Sequence, residues 1–222
     1  MTVLYTVALL IGGYLIGSIP SAYVAGRWIK GIDLRQYGSG TVSASMVWEH
    51  VARWAVVPVG VFDIVKAAIP TWLGVRLGLG WGVAVGAGFA AVVGHNWPVY
   101  LRFTGGRGLS PFMGVLLVVF PWGVAWMLGF LAMGFLVGDS APFALVSLIA
   151  LPYLVSRLGG PSVTSWAAGA MTLLTLVKRL QANGRHLPQD PSRRRRVILL
   201  RLFFDRDIPS HKDWIRRTPA SG

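Results

Sequence analysis

Long stretches of the chain are almost free of charge. Val3–Ala25, Trp54–Val75 and Trp81–Leu101 are apolar runs near the ~20 residues a helix needs to cross a ~30 Å hydrocarbon layer. Leu109–Val137 is longer, 29 residues without a charge, and reads either as one tilted helix or as two short helices broken at Pro121-Trp122-Gly123. Ala141–Ser156 and Pro161–Val177 complete the series, parted by Gly159-Gly160-Pro161.

Charge chooses between the two counts. Arg27, Lys30 and Arg35 follow the first run, Arg102 and Arg107 the third, and Lys178, Arg179, Arg185 and Arg193–Arg196 the last. Positive residues stay in the cytoplasm, and placing all three groups there requires an outside N-terminus and an odd number of spans. The expected architecture is therefore all-α: a polytopic membrane protein of seven transmembrane helices with its C-terminus in the cytoplasm. Two of the seven must be short, about 12 and 16 residues, or ~18 and ~24 Å at helical rise. Residues 1–180 are expected to form a single membrane domain and 181–222 a basic tail, either interfacial or disordered, with "RRRRVILLRLFF" placing arginines beside an apolar stretch.

Composition sharpens this picture. Of 222 residues 54% are hydrophobic, mean hydropathy is +0.59, and 21 basic residues face eight acids for a net charge of +13. That balance fits a positive-inside membrane protein bound to anionic lipid better than one bound to nucleic acid. The absence of cysteine rules out disulfides, an acyl-cysteine and thiolate metal sites. The apolar start lacks a basic n-region and is read as a mature span. Gly74, Gly78, Gly82 and Gly86, spaced by four, suggest close helix packing, and Asp63 and Lys66 fall on one helical face as a mutually satisfied pair.

With seven spans the polar segments 27–45, 102–108 and 138–140 meet at one cytoplasmic face. Gly38-Ser39-Gly40-Thr41 has the glycines and hydroxyls of an anion-binding turn. Gly105-Gly106-Arg107-Gly108 adds a guanidinium, which fits phosphate bidentately. His95 and Asn96 lie within an apolar run, where polar side chains face protein or water; the histidine could donate to phosphate, shuttle a proton, or tie two helices.

The segments "GSIPSAYVAGRWIKGIDLRQYGSG", "FDIVKAAIP" and "VVGHNWPVYLRFTGGRG" resemble the bacterial acyl-phosphate:glycerol-3-phosphate acyltransferases, the PlsY family, from about Gly17 to Gly114 and more weakly to Asn183. The resemblance implies a seven-helix enzyme of the bacterial inner membrane with a cytoplasmic active site. It would move a fatty acyl group from acyl phosphate to the 1-hydroxyl of glycerol 3-phosphate, releasing phosphate, for phospholipid synthesis. No metal or cofactor is implied, and no nucleic acid; the expected partners are the two phosphate-bearing substrates and the anionic bilayer. Carried over by position, Ser39, His95, Asn96, Arg107 and Ser140 would be catalytic, while Gly38, Gly40, Thr41, Ser45, Gly105, Gly106, Gly108 and Asn183 would bind substrate.

The first motif departs from the family pattern, which has asparagine at two positions held here by Thr41 and Met46 and arginine at the position of Glu49. An acid there reverses the local field unless Arg53, one turn on, pairs with it or takes over substrate binding. Two other readings stay open on the sequence: a catalytically impaired relative that binds lipid or phosphate, and a small anion transporter.

Overall fold

Backbone amides in hydrocarbon have no water to bond, so the apolar runs fold as helices that pair their own N–H and C=O groups. The computed structural model describes residues 2–218, and among them there is no strand. Eleven α-helices follow in order: α1 (Thr2–Gly17), α2 (Ser21–Lys30), α3 (Ala44–His50), α4 (Val56–Arg76), α5 (Trp81–Asn96), α6 (Leu109–Val119), α7 (Trp122–Val137), α8 (Ser140–Arg157), α9 (Ser162–Gln181), α10 (Pro191–Phe204) and α11 (His211–Ile215). Three stretches are long and apolar enough to cross a membrane: Thr2–Lys30, Arg53–Arg76 and Ser140–Arg157.

Two of the expected runs are broken. The first stops at Gly17 and resumes at Ser21, because Pro20 has no N–H to continue the ladder and its ring drives Ile19 out of helical geometry. The 109–137 run divides at Phe120 (φ −161°) and Pro121, giving the two short helices α6 and α7.

The core is layered on α5. Gly13 and Gly17 of α1 lie on the Ala87 and Ala91 carbonyls, and Gly94 lies on Tyr14 O, so closely that a methyl group at any of the three would collide with backbone. Phe112, Leu116, Leu148, Leu151 and Met171 fill the space among α6, α8 and α9. The four-residue glycine spacing does not form one stripe. Gly74 meets Ala84, but Gly78 sits in the turn before α5 at φ +65° and Gly82 touches nothing, since the period crosses from one helix to the next.

The tail is neither a free arm nor a lone interfacial helix. Pro191 and the Asp190 carboxylate, which accepts from Arg193 N, start α10, and Asp205 ends it in the left-handed conformation. Arg193–Arg196 are exposed, as a basic segment should be. Arg201, 2% exposed, bonds Leu180 O, Arg185 O and Asp207 and thereby fixes α10 to the end of α9. Residues 219–222 of the expected tail lie outside the described residues.

Candidate active site

All the polar loops gather at one end of the bundle. Across it, Arg206 pairs with Asp139, Arg107 with Asp205, and Gly38 N donates to Arg217 O while the Arg217 guanidinium donates back to Gly38 O. Arg76 and Arg157, by contrast, close helices at the other end. The gathered loops surround a cavity of about 710 Å³. Ser39, Thr41, Ser45, His95, Arg107, Gly108 and Ser140 of the expected set line it.

The first loop enters as extended backbone, with Ser43 at φ −142°, ψ 161°. Ser39 in the turn, Thr41 and Ser43 in the stretch that follows it and Ser45 in the first turn of α3 form a ladder of hydroxyls on the cavity wall, at successive Oγ separations of 2.7, 3.1 and 3.0 Å. Ser43 was missed in the sequence, although the period-two alternation of hydroxyls over residues 39–45 marks it. Gly38 and Gly40, at φ +48° and +70°, make the turn that a side chain would strain.

The second loop packs against the first. Val42 N donates to Gly105 O, and the Asn183 amide donates to both Gly40 O (2.9 Å) and Gly105 O (3.2 Å), a single side chain stapling the two glycine loops together. Gly106 N donates to His95 O at 3.0 Å. Asn96 stands behind this loop rather than in the wall: it is fully buried against Gly108, with its amide unpartnered among the described residues.

His95 belongs to a buried polar group. Lys66 Nζ lies 2.7 Å from Asp63 Oδ1, 3.0 Å from His95 Nδ1 and 3.1 Å from Ile19 O, and Ser21 Oγ donates to Asp63 at 2.7 Å. The Asp63–Lys66 pair is thus satisfied, as its spacing suggests, but it also buttresses the site, with Asp63 itself in the cavity wall. Ser21 and Lys66 lie in segments that carry the family resemblance, but only the Asp63–Lys66 spacing pointed to a partner.

Arg107 is engaged on every side. Its Nε and Nη2 hold the Asp205 carboxylate at 2.8 and 2.6 Å, and its Nη1 donates to Lys178 O at 2.9 Å. Acids from other elements share the wall with these basic loops. Asp205 from the tail, Glu49 and Asp63 stand in the wall with Arg107, Arg179, Lys212 and Arg216. Arg179, read from the sequence only as a topology signal, is 2% exposed and ties the tail down by donating to Leu202 O and Ala141 O.

Glu49 is paired not by Arg53 but by Arg216, at 3.3 Å from α11's end. Arg53 lies off the cavity, its guanidinium 5.3 Å over the exposed Trp48 ring. Ser140, at the start of α8, lines the wall and turns its hydroxyl to Leu131 O at 3.4 Å. The roof is α11. Trp214 is 4% exposed between the guanidinium groups of Arg185 and Arg217, 4.6 and 3.5 Å from the ring centre. Burial lowers Arg217 to about 10, which leaves it charged at neutral pH to hold Gly38 O.

The cavity's other half is apolar, lined by Trp48, Val56, Met113, Leu131, Phe135 and Phe204 among others. A space that joins hydroxyls and cations to such a wall suits an amphiphile with an anionic head.

A sequence profile described as glycerol-3-phosphate acyltransferase matches residues 7–189. "Glycerol-3-phosphate acyltransferase 5" of Dehalococcoides mccartyi is 37% identical over 216 residues, spanning 95% of this chain and 92% of its own. A glycerol-3-phosphate acyltransferase of Synechococcus sp. strain CC9902 is 37% identical over 185 residues, 82% of this chain and 88% of its own. Among solved structures, crystal forms of PlsY (YgiH), an integral membrane glycerol 3-phosphate acyltransferase, superpose closely. The glycerol 3-phosphate form does so with TM-score 0.71 at 28% identity over 78% of this chain and 88% of that one, and the lysophosphatidic acid form with TM-score 0.70 at 27% identity over 81% and 90%. With a profile match across most of its length and relatives aligned from end to end, the chain belongs to the glycerol-3-phosphate acyltransferase family.

Proposed function

We propose that the protein acylates the 1-hydroxyl of glycerol 3-phosphate with acyl phosphate, giving 1-acylglycerol 3-phosphate and inorganic phosphate. The observation that carries this reading is one cavity shared by the hydroxyl ladder of the first glycine loop, Arg107 of the second, His95 of α5 and a long apolar wall. Both substrates bear phosphate, and the acyl phosphate is already activated. The chain's task is then to hold two anions together and stabilise charge as the hydroxyl attacks the carbonyl. Ser39 and Thr41 offer donors to one phosphate and Arg107 to the other, with the acyl chain along the apolar wall. The carbon–oxygen bond to phosphate breaks as the ester forms, and the departing phosphate can take the hydroxyl proton.

In this reading the chain crosses a bacterial inner membrane seven times, N-terminus outside, with the cavity and tail facing the cytoplasm. The positive-inside distribution supports it: among the described residues, Arg76 and Arg157 are the basic side chains at the end away from the cavity. A second reading, a relative that binds phosphate or lipid without turnover, draws on the full engagement of Arg107 by Asp205 and Lys178 O.

The test is direct. Purified protein in lipid nanodiscs, given acyl phosphate and glycerol 3-phosphate, should release phosphate and acylated product together. Binding of both substrates without product would leave the second reading.

A further inference from the structure

Three acceptors surround the Lys66 ammonium: Asp63 Oδ1 at 2.7 Å, His95 Nδ1 at 3.0 Å and Ile19 O at 3.1 Å. An ammonium has three protons and no lone pair, so it only donates. Burial disfavours an ammonium, and it is the Asp63 carboxylate at 2.7 Å that favours the charged form of Lys66. His95 Nδ1 must then accept. An N–H at that atom would point a proton at an ammonium, and Asp63 Oδ1, 3.6 Å away, is too far to draw it elsewhere. In a neutral imidazole the proton therefore sits on Nε2.

That atom faces the site. A methyl group on Gly106 would run into Nε2, so it lies against the second glycine loop, where His95 shares the cavity wall with Arg107 and Gly108. Among the described residues none accepts a hydrogen bond from it. The ring is fixed from its own backbone as well, through Gly106 N on His95 O.

We propose that His95 works as a neutral hydrogen-bond donor from Nε2, aimed at substrate oxygen, and not as a general base, and that Lys66 is the positioning residue that sets this tautomer. A base at Nε2 would need its lone pair there and its proton at Nδ1, the arrangement Lys66 forbids. The donor would serve the acyl-phosphate carbonyl as it takes on charge, or the phosphate beside Arg107. No proton is exchanged with the ring in the step: the Nε2 proton stays on nitrogen throughout. This inference rests on the cavity being the acyl-transfer site, but its first test does not.

Protein with 15N-labelled imidazoles, studied by NMR in nanodiscs, should show the His95 resonances, identified by their loss in His95→Gln, as a protonated Nε2 and a bare Nδ1. Lys66→Met should release the lock and give a mixture of tautomers. Finding the proton on Nδ1 in the unmodified protein overturns the proposal whether or not the enzyme turns over. In the activity arm, Gln places an amide N–H near Nε2 and Asn near Nδ1, and neither can act as a base. His95→Gln should keep most of kcat while His95→Asn loses on the order of a hundredfold, the usual cost of one lost oxyanion donor. Equal, near-complete loss in both variants, with substrates still bound, also overturns the donor role. Failure of the unmodified protein to acylate glycerol 3-phosphate would strike the proposed function and leave the tautomer standing on the NMR result.

Discussion

Neutralising Asp63 should destabilise the protein out of proportion to the single atom changed. In Asp63→Asn the shape is kept and Ser21 still finds an oxygen, but Lys66, whose side chain is 1% exposed, loses its only counter-ion. Breaking a buried pair by removing one partner costs about 3–5 kcal/mol, because the survivor's charge has neither water nor a partner. For a chain of this length each kcal/mol is worth about 2–4 °C in Tm, so the midpoint should fall by roughly 6–20 °C. Lys66→Met alone should cost a similar amount by stranding the carboxylate. The double variant should recover much of the loss, since two uncharged groups of similar size remain, giving a coupling of about 2 kcal/mol or more between the sites. Tryptophan fluorescence during unfolding in one fixed detergent would measure all four proteins. A loss under about 1 kcal/mol for Asp63→Asn, or simple additivity in the double variant, would refute the claim that the two buried charges depend on each other.

Other expectations follow from separate parts of the molecule. Asp205→Asn should lower the KM for glycerol 3-phosphate severalfold by freeing the Arg107 fork, as steady-state kinetics would show; a raised KM would mean that Asp205 aims Arg107 rather than competing for it. Gly17→Ala should cost about 1–3 kcal/mol, because its methyl group meets the Ala91 backbone, whereas Gly129→Ala, with open space around it inside α7, should be neutral or stabilising by up to about 1 kcal/mol. Both are read from the unfolding midpoint. Since the chain has no cysteine, Trp122→Cys offers a unique thiol at the exposed α6–α7 turn, and an impermeant reagent should label it only from outside the cell; protection from both sides would return the count to six spans.

The sequence-legible part of the site was its chemistry, residue by residue. Glycine, hydroxyl and arginine at 38–41 and 105–108 suggest anion-binding loops, because glycine backbone freedom beside hydroxyl and guanidinium donors suits an oxyanion. The alternation that would have added Ser43 was also present. Lys66 was visible only as a partner for Asp63, and Arg179 only as a charge. Whether a charge props a helix, signals topology or faces a substrate depends on what lies across the gap, and here that is His95 from another helix and the carbonyls of a distant tail. The tail itself was the largest difference. A run of arginines looks the same in water, on lipid or docked, until Arg201, Asp205 and Trp214 are seen to find partners in Asp207, Arg107 and the guanidinium pair.

By itself, then, the amino-acid order determined an all-helical membrane chain, its break at Pro121, its charged end and the residue types of two glycine loops. These follow from local terms: the cost of bare amides in hydrocarbon, the missing N–H of Pro121, and the preference of cations for the cytoplasmic face. Tertiary structure alone decided that Glu49 answers to Arg216, that Arg107 is held by Asp205, and that Lys66 reaches His95. Pairings of that kind join residues dozens to more than a hundred positions apart. Their energies depend on burial and on angstrom-scale distance, neither of which has any counterpart in sequence spacing.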